Sequence, residues 1–113
     1  MSRSLKLYLN DILTSIDKIQ EYSEGLEKEA FLKHSLIFDA VTLNLQIIGE
    51  ASKKIPEQIR NQYPHIPWRN IIGLRNIIAH TYFYLDEDIL WHTIQHELEP
   101  LQKCIQELWD KEA

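Results

Sequence analysis

The stretch Arg75-Asn76-Ile77-Ile78-Ala79-His80-Thr81-Tyr82 gathers four groups suited to phosphodiester chemistry. Arginine offers a planar fork of donors that pairs with phosphate oxygens and keeps its charge near neutral pH. Histidine gives or accepts a proton in the same range. Asparagine can orient the imidazole or the phosphate by hydrogen bonding, and tyrosine adds a phenol. RNA carries its own nucleophile, the 2′-hydroxyl, so an arginine–histidine pair could cleave it without a metal. Composition alone is weak support, because such residues on a helix's polar face are usually solvated or capping groups.

The element that must position these groups is a helix from about Trp68 to Tyr82. At about 100° per residue, Ile71, Leu74, Ile77 and Ile78 form one apolar arc. Arg75, Asn76, Ala79, His80 and Tyr82 occupy most of the opposite arc. Asn76 and His80 are i,i+4 neighbours, and Arg75 and Tyr82 stand two turns apart on nearly one line. Ile72 falls among the polar residues, which implies that this face is partly covered, for instance by another subunit. Arg75 and His80 diverge on one helix. Two copies related by a two-fold axis would bring both groups to one cleft, because the same patch then meets itself.

The rest of the chain reads as helices joined by short connections, an all-α, up-down bundle of four main helices in a single domain over residues 1–113. Leu5, Leu9, Ile12, Ile16 and Ile19 mark an amphipathic helix over Ser4 to Ser23, stopped at Gly25. A short lead-in over Leu26 to Lys33 precedes a helix from Ser35 to Ile55, closed by Pro56. This helix is apolar on most sides, which predicts a central position. A helical turn is expected over Pro56 to Tyr63, then a loop to Trp68, with Pro67 suited to a helix's first turn. The last helical region begins at Asp86-Glu87-Asp88, with Ile89, Leu90, Ile94, Leu98, Leu101, Ile105 and Leu108 as its stripe and Pro100 as its kink.

A formal charge of −5 and a pI near 5.5 argue against broad non-specific binding to nucleic acid, and no DNA partner is expected. They leave room for a locally basic site, to which Lys53, Lys54, Arg60 and Arg69 could contribute. Cys104 is the sole cysteine, so neither an intrachain disulfide nor a cysteine-based zinc site is available. The N-terminus shows no signal-peptide pattern and no apolar run is long enough to span a membrane, so a cytoplasmic location is the plain reading.

Other candidate residues have simpler explanations. His92 and His96 are i,i+4, but the glutamate of a His-Glu-x-x-His motif is missing and Glu99 lies off that pattern, so no metal is expected. Glu50 in its apolar helix calls for a cationic partner, Arg75 or Arg69, with a structural role favoured over a chemical one. Asp39 and Asn44 read as internal hydrogen-bonding groups. Tyr84, Trp68, Trp91 and Trp109 read as packing residues, and Cys104 as a buried small one.

Arg75-Asn76-x-x-x-His80 resembles the motif of the HEPN superfamily, and the extension to Tyr82 resembles its HepT-type toxins. The short motif is loose. The flanking blocks Ile48-Gly49-Glu50-Ala51, Ile66-Pro67-Trp68 and Ile89-Leu90-Trp91 make the resemblance more specific and extend it over most of the chain. The resemblance implies a HEPN helical bundle working as a homodimer, with the motif helices near the dimer axis. It implies the toxin of a type VII-like toxin–antitoxin system, a metal-independent endoribonuclease without cofactor, acting on tRNA or mRNA. Arg75 would bind phosphate, His80 would act as acid or base and Asn76 would assist; the residue reading, apart from the resemblance, offers Glu50 and Arg69 as supporting groups. The partner would be an MntA-like nucleotidyltransferase antitoxin that transfers AMP to Tyr82.

Two other functions compete. One is a non-catalytic dimeric module that binds a nucleotidyltransferase as its substrate or accessory subunit. The other is a helical domain handling a free nucleotide, which the lack of a Gly-rich phosphate loop disfavours.

Overall fold

The structure, a computed structural model, describes residues 3–78 and 87–112. Of the described residues 81% are helical and none lies in a strand, in agreement with the all-α reading. The elements are α1 (Leu5–Ser23), α2 (Lys28–Lys33), α3 (Ser35–Lys53), α4 (Glu57–Arg60), α5 (Trp68–Ile72), α6 (described over residues 74–78), α7 (Glu87–His92) and α8 (Leu98–Lys111).

α1 and α3 form the central pair, with α8 against α1, and with α5 and α2 against α3. The apolar spacing of α1 explains its orientation: Leu9, Ile12, Ile16 and Ile19 are fully buried. Gly25 follows with φ 76°, the left-handed conformation that glycine adopts without a Cβ penalty. Phe31 of α2 joins this core between Phe38 and Trp91, with ring centroids 5.5 and 5.4 Å away. Leu98, Leu101, Cys104, Ile105 and Leu108 bury one face of α8. Burial pushes the Cys104 thiol up to about 12, consistent with an unreactive packing residue.

Three expectations require correction. The helix drawn from Trp68 to Tyr82 is interrupted at Gly73, a turn residue between α5 and α6. The Gly73 N–H still donates to the Arg69 carbonyl at 3.0 Å, and the Gly73 carbonyl accepts from the Ile77 N–H at 3.2 Å, so helical hydrogen bonds reach the junction from both sides. The last helical region is broken earlier than Pro100, by a π-helical turn over Thr93–Glu97. A new helix then starts at Leu98, which puts Pro100 in a first turn, where its missing N–H costs no hydrogen bond. Ile89, assigned to the apolar stripe of this region, is half exposed.

The third correction concerns α3. Val41, Leu45, Ile48 and Ala51 are buried, but Leu36, Leu43 and Ile47 are exposed. Its neighbours cover one side of the helix and leave an apolar face in solvent. Asn44 is buried and its amide donates to the Ala40 carbonyl at 2.8 Å, the internal role expected of it, whereas Asp39 is exposed.

Candidate active site

The segment carrying Arg75 is fixed at both ends of its approach. Before it, the Trp68 indole N–H lies 3.0 Å from the Arg60 carbonyl and 3.1 Å from that of Tyr63, one donor shared by two acceptors. This ties the 61–67 loop to the start of α5. The Arg60 Nε donates to the Ile55 carbonyl at 3.0 Å, so this arginine fastens the connection after α3 to α4.

At the α5–α6 junction the backbone lies directly on α3. A Cβ placed on Gly49 would stand 2.9 Å from the Ile71 carbonyl oxygen, 3.5 Å from that of Ile72 and 3.6 Å from the Leu74 Cβ. Only glycine permits this approach without displacement. Ile71, Leu74 and Ile78 are buried beneath the segment, while Arg75 and Asn76 face solvent. Among the described residues of this segment, the buried Ile71, Leu74 and Ile78 and the exposed Arg75 and Asn76 follow the division expected from the spacing.

Arg75 and Asn76 open onto a cleft of about 280 Å³ lined also by Glu50, Lys53, Ile72 and Gly73. Glu50 reaches Arg75, with Oε1 3.9 Å from Nη1, and not Arg69. Both groups are exposed, at 58% and 77% of their side-chain surface, so Glu50 is not the buried charge that its apolar helix suggested. At that distance the carboxylate orients the guanidinium without a direct hydrogen bond. The donors of Arg75 remain available to an incoming phosphate oxygen, and Lys53 adds a second positive charge at the rim. Arg69 is exposed in the first turn of α5. His80 and Tyr82 lie outside the described residues, as do Ala79, Thr81, Tyr84 and Asp86, and with them the pairings expected of His80 and Tyr82.

Gly49 escaped the sequence reading as a positioning residue, although its block was noted. Glycine within an otherwise apolar helix is the one signal that pointed to a close approach. A second cleft, of about 300 Å³, lies between α1 and α3 and shares Glu50 with the first. Away from both clefts, His92 and His96 stand side by side with ring centroids 4.9 Å apart. His92 faces Glu97 at 3.9 Å, and burial pushes the Glu97 carboxyl above its ordinary range. Among the described residues no three His, Cys, Asp or Glu side chains are grouped to hold a metal ion.

The family model described as "Ribonuclease HepT-like" matches residues 12–108. A protein of Methanocaldococcus jannaschii is 40% identical over 101 residues, which is 89% of this chain and 84% of its own. The "Probable ribonuclease HepT" of Thermococcus cleftensis is 38% identical over 96% of this chain and 98% of its own. The "mRNA nuclease HepT" of Shewanella oneidensis is 29% identical over 86% of this chain and 96% of its own. No solved structure gives a significant match. The matched span takes in α3, the glycine contact that seats the α5–α6 junction, and the Arg75 cleft, and the chain belongs to the HepT-like ribonuclease family of the HEPN superfamily.

Proposed function

We propose that the chain is a metal-independent endoribonuclease toxin, acting as a homodimer whose facing copies build a composite cleft. The observation that carries this reading is Arg75, held beside Glu50 with its guanidinium open to solvent in a cleft with Asn76 and Lys53. Membership of the HepT-like ribonucleases supports it.

Arg75 grips the non-bridging oxygens of a phosphodiester and offsets charge as it builds on phosphorus. His80 takes the proton of the adjacent 2′-hydroxyl, whose oxygen attacks phosphorus. The bond from phosphorus to the 5′-oxygen breaks, and that oxygen is protonated by imidazolium, from His80 or its counterpart in the second copy. The products are a 2′,3′-cyclic phosphate and a 5′-hydroxyl. Asn76 orients the imidazole or the phosphate, and Arg69 adds positive potential on the approach.

Control is assigned to Tyr82. An AMP group transferred there by a nucleotidyltransferase antitoxin adds bulk and negative charge beside Arg75, which then pairs with the attached phosphate instead of RNA. Expression of the chain alone is expected to arrest growth, and His80→Ala to relieve the arrest. Co-expression with the nucleotidyltransferase is expected to add AMP mass to the Tyr82 peptide in a tryptic map. Harmless expression of unmodified protein would favour the non-catalytic module. An unmodified Tyr82 beside an active nucleotidyltransferase would remove AMP transfer as the mode of control.

A further inference from the structure

We propose that His92, His96 and Glu97 form a binding site for one divalent transition-metal ion of the zinc class, away from the Arg75 cleft. His92 ends α7 and Glu97 directly precedes α8, so a bound ion clamps the two helices across the π-helical turn between them.

That turn sets the geometry. On a regular α-helix a residue five positions on lies about 140° around the axis, on another face. A π turn closes its hydrogen bonds at an interval of five, and it returns Glu97 to the side of His92. The His-Glu-x-x-His spacing fails here, yet the turn supplies a carboxylate from the other end. Single π turns inside helices are rare and occur frequently at functional sites.

Two independent observations point to a cation. The rings of His92 and His96 are exposed, with centroids 4.9 Å apart. Metal–nitrogen bonds of about 2.0–2.1 Å meeting at about 90–110° hold two imidazole ring centres roughly 4.5–5.3 Å apart. The pair already stands at the separation a chelate needs. The second observation is the Glu97 carboxyl, whose side chain is only 12% exposed. Its Oε2 is buried with no hydrogen-bond partner, and its Oε1 lies 3.9 Å from His92 Nε2. A buried carboxylate needs an opposite charge, which neutral imidazoles do not supply and a divalent ion does.

Among the described residues no three such groups converge on one point as they stand. The imidazole pair is therefore the primary chelate, and Glu97 closes it by turning its side chain. Ligands about 2.1 Å from a tetrahedral ion stand roughly 3.4 Å from one another, so the Glu97 Oε1 has about half an ångström to travel. Water fills the fourth position. Two imidazoles and one carboxylate suit zinc, nickel or copper, whereas magnesium and calcium take oxygen ligands.

The test is calorimetric titration of the untagged full chain with zinc chloride, beside thermal unfolding with and without zinc. One ion per chain is expected, with a Tm that rises as zinc is added. His92→Ala and His96→Ala should each weaken binding by more than about tenfold, since even loss of a group that only supports a ligand costs about 10–100-fold. Both positions are exposed, so these variants should fold, and His65→Ala, an exposed histidine elsewhere, should bind as the wild type does. Glu97→Gln puts a neutral amide in the same place. Its zinc-free Tm should not fall, while its affinity for zinc should. Wild-type affinity in Glu97→Gln would overturn the three-group site. No binding at millimolar zinc, or binding that survives both histidine substitutions, would overturn the site altogether, as would binding lost in His80→Ala but kept in His92→Ala. RNA cleavage read in EDTA is independent of all these outcomes, so the ribonuclease reading stands or falls separately.

Discussion

Replacing Arg75 by alanine is expected to lower RNA cleavage by about 10²- to 10³-fold, the loss typical of removing one preorganised donor from a transition-state oxyanion. The fold should barely respond. Arg75 is mostly exposed and its ion pair with Glu50, the one it makes among the described residues, is long and solvated, a contact worth about 0–1 kcal/mol at most. Circular dichroism and Tm should therefore stay near the wild type while activity falls. Arg75→Lys keeps the charge but loses the planar fork, so it should recover only part of the rate. Glu50→Gln tests the positioning half of the pair: a modest loss that falls on kcat more than on KM would show that the carboxylate aligns the guanidinium. A cleavage rate unchanged in Arg75→Ala would place phosphate recognition elsewhere.

Gly49→Ala should lower both stability and activity although it lies outside the motif. Alanine favours a helix over glycine by about 1 kcal/mol. Here the new methyl would lie 2.9 Å from a backbone carbonyl oxygen, that of Ile71, which cannot swing aside as a side-chain end would. Overpacking of this kind costs about 1–3 kcal/mol, occasionally more, so the net change is destabilising. A loss of 1 kcal/mol corresponds to a fall in Tm of roughly 4–8 °C for a domain near this size. The relief available to the chain is to push the α5–α6 junction outward, and Arg75 moves with it. A misplacement of about 1 Å can cost 10²-fold in rate, so cleavage should fall even at temperatures where the variant is folded. A Gly49→Ala protein with wild-type Tm and rate would show that the junction does not depend on this contact.

The sequence disclosed elements better than it disclosed their surroundings. Apolar spacing located α1, α3 and the stripe of α8 because that spacing is local and repeats over many turns. It could not say that α3 would keep Leu36, Leu43 and Ile47 in solvent, since a leucine or isoleucine has the same hydropathy on the surface as in the core. The break at Gly73 was hidden by helix-compatible residues on both sides. The π-helical turn at Thr93–Glu97 was hidden because Pro100 marks where a helix cannot continue unaltered, not where the chain makes the adjustment. In the candidate site, spacing put Arg75 and Asn76 on one exposed face, and residue type left Glu50 with Arg75 or Arg69, of which Arg75 is the one it approaches. The role of Gly49 was not, because its contacts come from a segment more than twenty residues later and exist only once α5 lies on α3.

The central claim is that this chain cuts RNA through His80 and Arg75 with the 2′-hydroxyl as nucleophile. The most direct measurement incubates the purified, unmodified protein with single-stranded RNA in EDTA and determines the product ends, beside His80→Ala. The account predicts fragments ending in 2′,3′-cyclic phosphate for the wild type and cleavage lower by about 10²- to 10⁴-fold for His80→Ala. Cleavage that requires an added divalent metal, or that is unchanged in His80→Ala, would contradict it.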